Sequence, residues 1–107
     1  MGLDLMFYKY KGNKKIEELY DFNSYEFKEP LEYIDGVGNL GWGIAKNIMD
    51  LNLGEFAEVD EYLEEIFNMN INWLNYEIEE LEVLKNLYDD CVNAVENGYR
   101  VFAEISF

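Results

Sequence analysis

The chain has 107 residues, half of them hydrophobic and 17% aromatic, so it can bury a core and carries too many apolar side chains for a disordered segment. Its 23 acidic residues against 8 basic ones leave a net charge of −15. A field of that sign repels nucleic acid and anionic membranes and draws in cationic protein surfaces. The absence of histidine removes the commonest general base and zinc ligand.

The charge is unevenly spread. Residues 1–28 hold five acids and five lysines, whereas the remaining residues hold 18 acids against Lys46, Lys85 and Arg100. The whole excess therefore lies after residue 28. Residues 1–107 are expected to form one domain. With no basic segment leading into an apolar one and no apolar run of membrane-spanning length, a cytoplasmic location is expected.

Leu3 to Tyr10 is rich in β-forming residues and alternates Leu3, Leu5 and Phe7 against Asp4, Met6, Tyr8 and Tyr10, which predicts a strand with one buried face. Lys11, Gly12 and Asn13 make a solvated turn. Residues 14–28 fit a short helix at Ile16, Leu19 and Tyr20, but Tyr20, Phe22, Tyr25 and Phe27 alternate; strand or irregular structure is expected. Pro30 marks an edge or boundary, and Leu31 to Ile34 suits a short strand. Gly36, Gly38 and Gly41 then spell a dinucleotide-binding fingerprint before a helix over 43–52. That fingerprint needs a parallel βαβ unit with an acid closing a second strand, and the downstream FAEVDEYLEEIF reads instead as a helix, so the glycines read as a connection.

That helix has Tyr62, Leu63, Ile66 and Phe67 inside and Glu58, Glu61, Glu64 and Glu65 outside. The link Asn68 to Asn72 leads into the longest helical pattern, Trp73 to Asn97. Leu74, Ile78, Leu81, Leu84, Tyr88, Cys91, Val92 and Val95 recur three or four apart on its inner side, and Glu79, Glu82, Asn86, Asp89, Asp90 and Asn93 face solvent. Gly98 ends it. Tyr99 to Ser106 alternates Tyr99, Val101, Ala103 and Ile105 against Arg100, Phe102, Glu104 and Ser106, and such an apolar strand needs the Leu3 to Tyr10 strand as neighbour. The fold class expected is α+β, a small antiparallel sheet including both terminal strands packed against two or three helices.

The opening MGLDLMFYKY and the closing LYDDCVNAVENGYRVFAEISF resemble a family of small uncharacterised phage and bacterial proteins that open with MGLDMYLY and end in a late helix and an aromatic strand. The resemblance implies a small α+β fold and a phage or mobile-element origin. The family's histidine-containing middle element is missing, with Gly41, Trp42 and Gly43 as its remnant, so no catalytic residue is carried over.

Cys91 lies on an apolar helix face with no histidine to activate it, and the carboxylates lack calcium-loop spacing. No catalytic residue, cofactor or metal site is expected. The surface carries the functional expectation. Glu58, Glu61 and Glu65 would step along one helix face at about 5–6 Å, and Glu79, Glu82 and Asp89, with Asp90 beside them, along the next. Two such rows imitate, more sparsely, the phosphates of DNA, which carry one charge per roughly 1.7 Å of axis. Tyr62, Trp73 and Tyr76 are the expected apolar anchors. The function expected is a non-enzymatic inhibitor that occludes the nucleic-acid site of a cationic host defence protein such as a CRISPR effector, a restriction enzyme or a repair nuclease. An immunity or antitoxin protein neutralising a basic toxin is the alternative, and a small nucleotide-binding module the third. The protein is expected to be a monomer or small homo-oligomer.

Overall fold

In a computed structural model that describes residues 2–68 and 76–107, the alternating apolar residues of the opening stretch form strand β1 (Asp4–Tyr10). A single helical turn, α1 (Ile16–Leu19), follows, and then a two-stranded hairpin of β2 (Tyr20–Asp21) and β3 (Glu26–Phe27). Beyond Pro30 the chain enters β4 (Glu32–Val37), tightens into a 3₁₀ turn at Asn39–Gly41, and continues as α2 (Trp42–Asp50). Next come β5 (Phe56–Glu58), the single turn α3 (Leu63–Ile66), the long helix α4 (Ile78–Glu96) and β6 (Arg100–Ser106).

The sheet order is β4-β1-β6-β5, with every pairing antiparallel. The first and last strands are neighbours at its centre, Leu5 facing Ile105 and Phe7 facing Ala103. This is the expected α+β fold, and its alternation is the expected one. Leu3, just before β1, Leu5 and Phe7 from β1, and Val101, Ala103 and Ile105 from β6 are buried on one face. Ile44 and Ile48 of α2, Ile66 of α3 and Leu84, Leu87 and Cys91 of α4 cover them.

The second face of the sheet is also covered. Phe102, on the side assigned to Arg100, Glu104 and Ser106, is fully buried, because α1 and the β2–β3 hairpin fold across it. Phe102 stacks on Phe56 at 5.5 Å and Phe56 on Tyr20 at 4.2 Å between ring centroids. The ambiguous aromatic stretch 14–28 is thus the lid of a second, aromatic core.

Two expectations need correction. FAEVDEYLEEIF is not one helix: Phe56, Ala57 and Glu58 are the edge strand β5, and only Leu63–Ile66 turns as a helix. The reason is tertiary. Phe56 and Ala57 are both buried, on opposite faces, one in each core, and only an extended segment can serve two cores with successive residues. The long helix begins at Ile78, capped at Glu77, whose N–H donates to the Glu80 carboxylate at 3.3 Å. Leu74, Trp73 and most of the Asn68 to Asn72 link lie outside the described residues. Ile78 is 77% exposed. At 100° per residue it lies roughly 160° from the centre of the stripe Leu84, Leu87, Cys91 and Ala94 that enters the core. Of the residues expected on the inner side, Leu84 and Cys91 are buried, while Leu81, Tyr88, Val92 and Val95 are half-buried at the flanks of the stripe.

Gly98 ends α4 as expected. Its φ of 85° lets its N–H reach the Val95 carbonyl at 3.0 Å while the Tyr99 N–H reaches that of Ala94 at 3.0 Å, which sends the chain directly into β6. Leu84→Ala should cost about 2–5 kcal/mol in urea unfolding, whereas Ile78→Ala should change stability by less than about 0.5 kcal/mol. Equal costs at the two positions would refute the assignment of the buried stripe.

Candidate acidic binding surface

The acids after residue 28 do not form two parallel rows. Glu61, Glu64 and Glu65, held at the surface by the single turn α3, line a cleft of about 290 Å³ together with Asp60 and with Glu96 from the end of α4. Its apolar lining comes from Leu63, Tyr88, Val92 and Val95. No described lysine or arginine lines it. The cleft forms because the buried sides of α3 and α4 both enter the main core, which leaves their outward-leaning carboxylates facing one another across half-buried side chains.

Glu79, Glu82 and Asp89 are exposed along the outer face of α4. Glu82 is fourteen positions before Glu96, roughly 21 Å along the axis at 1.5 Å per residue, so these acids extend the field of the cleft without lining it. Asp90 turns elsewhere, toward a polar recess shared with Lys9, Lys11, Asn93 and Asn97. Tyr76 donates its hydroxyl hydrogen to the Leu40 carbonyl at 2.8 Å, which ties the entry to α4 onto the 3₁₀ turn. Tyr62 is half-buried beside Glu58 and Arg100. Trp73 lies outside the described residues.

Glu58 departs most from its expected role. It sits on strand β5 rather than a helix and is neutralised by Arg100, the sole arginine of the sequence. Arg100 Nε donates to Glu58 Oε2 at 3.1 Å and Nη2 to Oε1 at 2.9 Å, a two-pronged pair. Nη1 also donates to the carbonyls of Gly12 and Lys14, binding the loop after β1 to the sheet. The guanidinium lies over the Phe102 ring at 5.3 Å. Sequence alone gave no sign of this pair, whose partners are 42 positions apart.

Asp60 completes the group. Burial first, then its hydrogen bond with and repulsion from Glu58, push its carboxyl up to about 6. The hydrogen bonds from Arg100 hold Glu58 below its ordinary value against the opposing effect of burial. Tyr88, Asp60 and Glu96 were not among the expected binding residues. Of these, Tyr88 was legible only as half of an inner face.

Gly41, the last glycine of the fingerprint, has a packing role. A Cβ on Gly41 would lie 2.8 Å from Val37 Cγ2 and 3.1 Å from Leu5 Cδ2, so the 3₁₀ turn presses its backbone against the sheet. The preceding strand, β4, is an antiparallel edge strand, and no parallel pairing exists among the described residues. The context that a phosphate-binding turn requires is missing. Among the described residues no three carboxylate or thiol side chains converge to hold a metal ion. Cys91 is buried, with its thiol pushed up to about 12 mainly by that burial. No described helix is long and apolar enough to cross a membrane.

Unfolded, Asp60 ionises near 3.8, so between about pH 4 and pH 6 the folded chain binds the extra proton and loses stability as the pH rises. Glu58 acts in the opposite sense, losing its stabilising pair as the pH falls below its ordinary 4.5. Asp60→Asn should therefore raise stability at pH 7 by about 1 kcal/mol, solvent screening having reduced what the full shift implies, and flatten the pH 4–6 slope. Thermal melts across that range check both effects. Comparison with protein-family models, with curated proteins and with solved structures finds no match.

Proposed function

We propose that the protein is a non-enzymatic binding protein that occludes the nucleic-acid site of a cationic partner, its acidic face standing in for phosphates. The observation that carries this reading is the cleft of Asp60, Glu61, Glu64, Glu65 and Glu96 with its half-buried Tyr88, Val92 and Val95. Five carboxylates around an apolar strip match what a nucleic-acid channel offers, which is arginine and lysine heads carried on aliphatic stems. The exposed acids of α4 add long-range attraction, which raises the association rate more than the final affinity. Like charges this close oppose folding, and retaining them on top of a complete core supports a role outside the core. A phage or mobile-element origin, with a host defence nuclease as target, is the setting in which such an inhibitor operates.

The test is competition. A CRISPR effector, a restriction enzyme and a repair nuclease would each be assayed for DNA binding and cleavage with increasing amounts of the protein. Inhibition of at least one, relieved by excess DNA, is expected. The quadruple variant Glu61→Lys, Glu64→Lys, Glu65→Lys and Glu96→Lys should weaken that inhibition at least tenfold at low salt and less at high salt, where exposed charges are already screened. Asp90→Lys, which changes the other side of α4, should do far less. A quadruple variant that inhibits as well as the parent would mean that the acids serve solubility alone.

A further inference from the structure

Across the sheet from the helices, Glu104 stands on the central strand β6, with Met6 as its register partner on one side and Phe56 on the other. It lines a recess of about 400 Å³, together with Tyr20, Tyr25, Glu55 and Phe107. Tyr20 donates its hydroxyl hydrogen to Glu104 Oε2 at 3.0 Å, and burial first, then that hydrogen bond, holds the phenol neutral well above its ordinary range. Neither Glu104 nor Glu55 joins any of the ion pairs among the described residues, and no described lysine or arginine lines the recess. The chain thus offers the half-buried Glu104 carboxylate neutral phenol donors, Tyr20 and Tyr8, and, among the described residues, no counter-charge.

The rim adds an independent observation. Tyr25 is held at φ 58°, in the left-handed region that glycine or asparagine occupies with far less strain, and the residue is nevertheless 62% exposed. A bulky residue there costs stability and returns little burial. Its exposed ring, with Phe107 opposite, suits a role in contact with something outside the chain.

We propose that this recess takes the guanidinium of an arginine presented by a basic protein partner, stacked against the rim aromatics and paired with Glu104 and Glu55. The proposal rests on the reading of that partner as cationic. Guanidinium is favoured over ammonium because it is planar, weakly hydrated and able both to lie on a ring and to pair with carboxylates in its own plane. The recess falls in the range of side-chain and small-ligand pockets.

Calorimetric titration with tri-arginine, tri-lysine and tri-citrulline peptides tests it on the intact chain. Tri-arginine should bind measurably, tri-lysine several-fold more weakly and tri-citrulline, the neutral isostere, not at all. Glu104→Gln, which keeps the shape and still accepts from Tyr20, should lower tri-arginine affinity at least tenfold. Tyr25→Asn, which relaxes the backbone, should lower it severalfold while leaving the melting temperature equal or higher. The quadruple cleft variant should retain the part of binding that survives high salt. Equal binding of tri-citrulline or tri-lysine, or parental affinity in Glu104→Gln, overturns the proposal. So does sedimentation showing a dimer that Tyr25→Asn dissociates, since a second copy would then be the occupant. Nuclease competition separates the two readings. If Glu104→Gln still competes with DNA as the parent does, the recess fails and the proposed function stands. If arginine binds the recess but no nuclease is inhibited, the proposed function fails alone.

Discussion

Seven register pairs, from Asp4 with Ser106 to Tyr10 with Arg100, join two strands from opposite ends of the sequence, and every other element is attached to that ribbon. β6 is buried on both faces along its middle, at Val101, Phe102 and Ala103, whereas β1 is buried on one face and half-buried on the other, so the ribbon depends on the layers on either side. The helices pack on Leu5, Phe7, Val101 and Ala103, and the aromatic lid packs on Phe102. Closing the ribbon requires ordering nearly the whole chain before its contacts are rewarded, a non-local topology associated with slower folding. The two cores are therefore linked: loosening the lid exposes Phe102 and Phe56, and with them the edge that positions Glu58.

The same geometry explains how so acidic a chain holds together. The neutral first stretch supplies cations to the acidic remainder, Lys9 to Glu32 and Lys14 to Glu29, while Arg100 answers Glu58 from within the sheet. The first two are surface pairs of small individual worth. Arg100 differs because it carries two hydrogen bonds to one carboxylate, two to loop carbonyls and a ring beneath it, so its loss would release three segments at once. Acids that receive no such partner are left on α3, on α4 and around the recess, and they account for the one-sided field.

What the sequence disclosed was what depends on period. The alternation of Leu3, Leu5 and Phe7 and of Val101, Ala103 and Ile105 located the main core, and Gly98 located the end of α4. What it hid depends on contacts between distant residues. Phe56 and Ala57 read as the start of a glutamate-rich helix because local preference cannot register that β6 lacks a neighbour on that side. Phe102 and the aromatics of 20–27 read as polar-face or irregular because the layer covering them comes from another part of the chain. The candidate site suffered the same way. Glu61, Glu64 and Glu65 were legible as surface acids, but their meeting with Glu96 and the diversion of Glu58 to Arg100 are tertiary facts.

The segment from Glu55 to Asp60 ties these features to a common edge. Glu55 lies in the aromatic recess on one face of the sheet and Asp60 in the acidic cleft on the other, with β5, one of the sheet's two edge strands, between them. Glu55 and Asp60 are five positions apart with the strand residues Phe56–Glu58 between them, so both sites are tied to one short strand. Their coupling runs through that strand, whose Phe56 stacks on Phe102 of β6 in the aromatic core. A flat partner surface would meet only one site. One that grips the β5 edge with a groove meets both, reading charge in the cleft and a single side chain in the recess, and the groove of a nucleic-acid-binding protein, lined by basic residues on both walls, has that form.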